Sequence, residues 1–225
     1  MYLQPYFPEP ITVGGNVANA KYRERVRFLR TVVGRHFLTV LVIAAIGFLR
    51  PVDGPALLWV FGLASGLVAL TFVRRTAAGA RWDGPVSLVV LLPTLAFAGL
   101  WLRALDDNEF PVFSFAVVSA ALGAYSLFCG QDFSYVGQFV LCSLASALVT
   151  IGMVALGYVP GWQGVVGWAL GTAYMLYYTY DLSMIVKRRR PDEGWAATAD
   201  LYRDLLNFST YSVRVFLHWR RFRNI

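Results

Sequence analysis

Two aspartates, Asp181 and Asp204, are the residues whose type and position favour chemistry. Asp181 interrupts an apolar run six residues before Lys187, which places it roughly 9 Å inside that run if the run is helical. Asp204 follows Gly194 by ten residues on the next predicted helix, roughly 15 Å from its start. In an antiparallel pair of helices these depths differ by about one turn, so the two carboxyl groups are expected to meet inside the protein.

An aspartate pair of this kind predicts a pH-dependent gate or cation site. Two carboxylates that meet in a poorly hydrated pocket share a proton over part of the pH range, because both cannot stay ionised cheaply. When both are ionised, they offer oxygen ligands to a hard cation such as Ca²⁺. Asp181 and Asp204 are therefore candidates both for proton sensing and for metal binding. The alternative is that each forms a separate ion pair with a basic residue such as Arg188, Arg203 or Arg214.

The elements that must position this pair are helices of membrane-spanning length. The chain is 57% hydrophobic and 15% charged, whereas a soluble domain carries about 25% charged residues. Six apolar runs are long enough to cross about 30 Å of hydrocarbon at about 1.5 Å per residue. These predicted spans cover residues 32–49, 55–73, 85–102, 111–130, 137–157 and 164–186. With a seventh helix at 196–217, they predict an all-α membrane protein that folds as a bundle of seven transmembrane helices.

The distribution of charge predicts the topology. Basic clusters precede the first span and follow the second and sixth spans, whereas the acidic loop 103–109 follows the third. If the chain weaves, the basic clusters share one side, which predicts a cytoplasmic N-terminus. The expected location is a plasma membrane. Residues 1–20 are expected to form a flexible tail and residues 21–225 a single membrane domain. The bilayer is the expected partner; no nucleic acid is expected, because no basic face persists along any element.

The seventh predicted helix differs from the others because one of its faces is polar. That face carries residues at helical spacing, namely Asp200, Asp204, Asn207, Tyr211 and Arg214. Such a helix either lies enclosed by the other six or lies flat at the membrane surface. The presence of Asp181 in the preceding span favours the enclosed placement.

Three short segments occur in an order typical of one family of membrane proteins. They read QDFSYVGQF at 131–139, YDLSMI at 180–185 and LYRDLLNF at 201–208, the last followed by VRV at 213–215. In order and spacing they resemble the Bax inhibitor-1 family, also called the transmembrane Bax inhibitor motif family, in its bacterial form. The resemblance extends over about residues 25–217.

This resemblance implies a seven-helix bundle whose last helix is mostly enclosed. It also implies a pH-sensitive Ca²⁺ leak, as in several family members, with the aspartate pair at Asp181 and Asp204 as proton sensor. The basic residue that latches onto the pair in family members corresponds to Arg74, with Arg75 one step away. The arginine late in the last helix corresponds to Arg214, which is a further latch candidate.

The sequence leaves two other functions open beside a cation leak. One is a non-conducting regulator that binds a membrane protease or another membrane complex. The other is an intramembrane aspartyl protease, for which two aspartates on neighbouring helices are the minimum requirement. No cofactor motif, nucleophile triad or metal-ligand cluster is evident, so the chain is not predicted to be an enzyme. His36 and His218 are expected to flank helix ends and to have no catalytic role.

Overall fold

The computed structural model describes residues 12–49, 82–107, 109–129 and 133–202. All regular elements within these ranges are helical. They are a 3-10 turn at Val17–Asn19, α1 at Tyr22–Leu49, α2 at Asp83–Asp106, α3 at Phe113–Phe128, α4 at Tyr135–Ala155, α5 at Gly161–Arg188 and α6 at Gly194–Asp200. The all-α fold is therefore confirmed for the described part of the chain.

The helix α4 has its apolar side chains outside and its polar side chains inside. The exposed ones include Val136, Val140, Leu141, Leu144, Leu148 and Ile151. The buried ones are Gln138, Cys142, Ser146 and Thr150. In water this pattern would expose several large apolar side chains while burying polar ones, which is unfavourable on both counts. In hydrocarbon the same pattern is favourable, because lipid cannot pair with a polar group.

Three of the described helices, α1, α2 and α4, are long and apolar enough to cross a membrane. The helix α3 is apolar but has only 16 residues. The helix α5 has 28 residues but a more polar composition, and it is not among the three. These lengths and compositions, together with the inverted polarity of α4, indicate an integral membrane protein. The second predicted span, 55–73, lies outside the described residues, so the number of seven spans stays a prediction.

The helices form a bundle in which α1 packs against α2, α3 and α6, while α3, α4 and α5 pack against one another. At one end, the backbone N–H of Phe133 donates to the hydroxyl of Tyr22, which places the start of α1 beside the start of α4. At the other end, the side chain of Gln163 donates to the carbonyl of Glu109, which places the start of α5 beside the loop after α2. The described loops therefore alternate between the two ends of the bundle.

The part of the predicted N-terminal tail that the structure describes, residues 12–20, packs against the bundle. The backbone N–H groups of Val13 and Val17 donate to the carbonyls of Lys187 and Arg189, at 3.2 and 2.9 Å. Val17 is fully buried in the main hydrophobic core. These residues therefore cover the end of α5.

The helices α1 and α2 approach each other closely at Gly99. A Cβ atom added at Gly99 would lie 2.7 Å from Cγ2 of Ile46 and 2.9 Å from the carbonyl oxygen of Ile43. Both distances are shorter than van der Waals contact, and one of the two atoms belongs to the backbone. The crossing therefore depends on the absence of a side chain at residue 99.

We expect Gly99→Ala to destabilise the protein relative to Gly152→Ala. Both glycines lie inside helices and would gain about 1 kcal/mol of helix propensity, but a Cβ at Gly152 meets nothing within 4 Å. Overpacking at Gly99 costs about 1–3 kcal/mol, so thermal unfolding in detergent should show the lower midpoint for Gly99→Ala. Equal midpoints for the two variants would contradict the close crossing.

Candidate functional site

One face of α5 carries the buried polar side chains from which the candidate site is built. Tyr174, Tyr178 and Asp181 follow one another at spacings of four and three residues, which places them on the same side of the helix. The residue Asp181 is only 3% exposed, as is Tyr178. The predicted proton sensor on α5 is therefore enclosed by other parts of the protein.

The imidazole of His36 faces these tyrosines from α1. Its Nε2 atom and the hydroxyl of Tyr174 form a hydrogen bond of 2.7 Å. Its ring centroid lies 4.9 Å from that of Tyr178 and 5.3 Å from that of Tyr202. The expectation that His36 flanks a helix end was wrong, because α1 begins at Tyr22 and His36 lies buried in the middle of it.

The hydroxyl of Thr39 connects α1 to the segment that follows α6. It donates to the carbonyl of His36 at 2.6 Å, and the hydroxyl of Tyr202 lies 2.5 Å from it. A threonine hydroxyl has one proton, so Tyr202 is the donor in the second bond. The buried polar layer thus joins α1, α5 and the last residue that the structure describes.

The remaining predicted site residues lie outside the described residues. These are Arg74, Arg75, Asp204 and Arg214. Asp204 follows Tyr202 by two positions, but the separation of the Asp181 and Asp204 carboxyl groups stays a prediction. Within the described ranges, no three His, Cys, Asp or Glu side chains come together in a way that would hold a metal ion.

A second polar cluster, which we call the Arg189 clamp, consists of Asp83, Arg189 and Asp200. The Nη1 atom of Arg189 donates to Oδ2 of Asp83 at 2.6 Å. Its Nε and Nη2 atoms donate to the two carboxylate oxygens of Asp200, at 2.6 and 3.2 Å. The hydroxyl of Ser87 also donates to Asp83, at 3.0 Å. The clamp joins the start of α2, the end of α5 and the end of α6.

The clamp is well shielded from solvent, since the side chain of Arg189 is 12% exposed and that of Asp83 is 3% exposed. Burial alone lowers the pKa of the Arg189 guanidinium, but the charges and hydrogen bonds of Asp200 and Asp83 outweigh this effect and leave the pKa raised. Arg189 therefore stays charged. Its ion pairs tie the end of α5 to the start of α2 and to the end of α6.

This clamp was not predicted from the sequence. Arg189 was interpreted as one of four consecutive basic residues at 187–190 that mark a side of the membrane, and Asp200 as part of a polar stripe. A basic cluster does not reveal which of its members turns inward. In the sequence, the residue that indicates a partner for one of these basic side chains is Asp83, an acid at the very start of an apolar run.

A scan against protein-family models and searches of curated proteins and of solved structures found no match to this chain. The function proposed below therefore rests on the geometry and the physical chemistry of these groups, and on the resemblance of three short segments to one family of membrane proteins.

We expect Arg189→Gln to lower the free energy of unfolding by about 3–5 kcal/mol, because it leaves the charges of Asp83 and Asp200 buried without their guanidinium. Thermal and denaturant unfolding in detergent measure this loss. Adding Asp83→Asn to Arg189→Gln should restore part of the stability by removing one of the two charges. The matched control is Arg190→Gln, which removes the exposed guanidinium next in the chain; a loss as large in this control would contradict a specific role for Arg189.

Proposed function

We propose that this chain is a pH-responsive cation leak pathway, with Ca²⁺ as the favoured ion and Asp181 and Asp204 as its gate. The proposal includes seven membrane-spanning helices, membership of the Bax inhibitor-1 family, and a plasma-membrane location with a cytoplasmic N-terminus. The single observation that carries it is the burial of Asp181 on α5, inside a bundle of membrane helices.

The burial of Asp181 supports a functional role because it is costly. A carboxyl group at membrane depth costs a few kcal/mol on insertion scales. Ionisable residues inside membrane bundles therefore mark ion or proton pathways by default. A protonated Asp181 is neutral, whereas an ionised Asp181 offers oxygen ligands to a passing cation.

The polar layer on the face of α5 that carries Asp181 supports the same proposal. Tyr174, Tyr178 and Asp181 lie on one face of α5, and His36 and Tyr202 approach that face from two other parts of the chain. Hydroxyl and imidazole groups can exchange hydrogen-bond partners as a carboxyl group gains or loses its proton. In this proposal Arg74, Arg75 and Arg214 are the candidates for a latch that closes onto the aspartate pair.

We expect purified protein in liposomes to leak Ca²⁺ to an enclosed dye at a rate that changes with pH. Both Asp181→Asn and Asp204→Asn should flatten this pH profile, because an asparagine cannot exchange a proton in this range. The matched control is Asp192→Asn, which neutralises an exposed carboxylate in the loop between α5 and α6 and should keep the wild-type profile.

Two results would refute the leak. One is the absence of leak at every pH, and the other is an unchanged pH profile in both gate variants. Inert vesicles together with a membrane protein that co-purifies in fixed proportion would favour the non-conducting regulator instead. Cleavage of a membrane peptide that is lost in Asp181→Asn would favour the aspartyl protease.

A further inference from the structure

The buried side of α4 carries a continuous row of polar and small side chains, which we call the α4 stripe. It consists of Gln138, Cys142, Ser146 and Thr150, one residue at every fourth position. Twelve residues of helix cover about 18 Å, more than half of the hydrocarbon thickness of about 30 Å. All four residues are at most 5% exposed.

Several polar atoms along this stripe have no hydrogen-bond partner among the described residues. Gln138 is fully buried, and neither its amide oxygen nor its amide nitrogen is paired. The hydroxyl of Thr150 is also unpaired, as is that of Tyr178 on α5. Each such group costs about 1–3 kcal/mol if it stays unpaired. Inside proteins, groups of this kind are normally satisfied by ordered water.

The α4 stripe differs from an ordinary packing surface of small residues. Elsewhere in the bundle, the buried hydroxyls of Thr94 and Ser126 donate to the carbonyl four residues earlier in their own helix. The hydroxyl of Thr150 does not, and a glutamine side chain such as that of Gln138 holds two donor hydrogens and an acceptor. The stripe therefore has unused capacity to bind polar groups.

Contacts between α4 and α5 place one end of the stripe beside the proposed gate. The side chain of Val154 lies against Gly164, and the hydroxyl of Ser143 lies 3.6 Å from the sulfur of Met175. These two contacts define an antiparallel register. In this register, Gln138 lies five residues before Ser143 on α4, so it falls at the depth of residue 180 on α5, between Tyr178 and Asp181.

We propose that the α4 stripe lines a hydrated route along which water and small cations move between the Thr150 level and the depth of Asp181. The proposal rests on the proposed leak function, because the route gives ions a path to the gate of that leak. The amide of Gln138 and the hydroxyls of Ser146 and Thr150 replace part of the hydration shell of the ion. The opposite side of α4, which carries Leu144 and Leu148, faces lipid.

Silver ion, a small cation that binds thiolates, can test this route in proteoliposomes. In a Cys129→Ser/Cys142→Ser background, Ser146→Cys places a thiol on the stripe. Leu144→Cys and Leu148→Cys place matched thiols on the same turns of α4, where the native side chains are 58% and 71% exposed on the outer side. After exposure to silver, the protein is unfolded in detergent, and a fluorescent maleimide counts the thiols that remain free.

We expect Ser146→Cys to react with silver at least about tenfold faster than Leu144→Cys and Leu148→Cys, because a thiol ionises in a hydrated route but not in hydrocarbon. In a Cys129→Ser variant, Cys142 provides the same measurement without any change in the stripe. Silver should protect its thiol from the maleimide as well. Equal and slow reaction at Ser146→Cys, Cys142 and the two outer positions would overturn the proposal and show that the α4 interface is dry.

The result distinguishes the route from the gate. If the vesicles leak Ca²⁺ and the stripe thiols stay unreactive, the leak stands and the route along α4 is wrong. If the stripe thiols react while Asp181→Asn and Asp204→Asn leave the pH profile unchanged, the route stands and the gate is wrong.

Discussion

A polar side chain on a membrane-spanning helix has no hydrogen-bond partner in lipid, so it must turn toward another helix. This constraint explains which sides of the described helices face one another. It places Gln138 and Thr150 on the inner side of α4 and leaves leucine, valine and isoleucine outside. It also brings the buried His36 and Thr39 and the half-buried Tyr174 into one layer. The interior of the bundle is consequently the place where charge, protons and water can be held.

The helix α1 has a central part in this arrangement, since it packs against α2, α3 and α6. Its middle turn supplies His36 and Thr39, which contact α5 and the end of α6 through tyrosine hydroxyls and rings. A change in the protonation of the buried layer would therefore alter the contacts of three elements at once. These are the first helix, the helix that carries Asp181 and the start of the last predicted helix. A gate built from side chains on separate helices depends on such shared contacts.

Hydrophobic patterning predicted the helices of this protein more reliably than its polar contacts. The third span, predicted at 85–102, is observed as Asp83–Asp106, and the fifth, predicted at 137–157, as Tyr135–Ala155. These boundaries follow from long apolar runs that end at charged or turn residues. Asp181 could be singled out because it is a lone charge in such a run. Its proposed partner Asp204 lies outside the described residues.

The polar contacts could not be predicted in the same way, because they depend on which residue of a helix turns toward which neighbour. His36 was given no role because the apolar part of the first helix was expected to begin at 32, four residues before it. The basic residues at 21–35 were also expected to be helical, and they form one continuous helix with the span, so His36 lies mid-helix. Arg189 belongs to a cluster of four basic residues, and only the tertiary structure reveals that it faces Asp83 and Asp200.

The order of the clamp residues along the chain has a consequence for biosynthesis. Asp83 leaves the ribosome more than a hundred residues before Arg189, and Asp200 follows eleven residues later. During membrane insertion, α2 must therefore reside in the translocation machinery or the bilayer before its guanidinium partner has been synthesised. A chain truncated before Arg189 therefore keeps the Asp83 carboxylate but lacks that guanidinium.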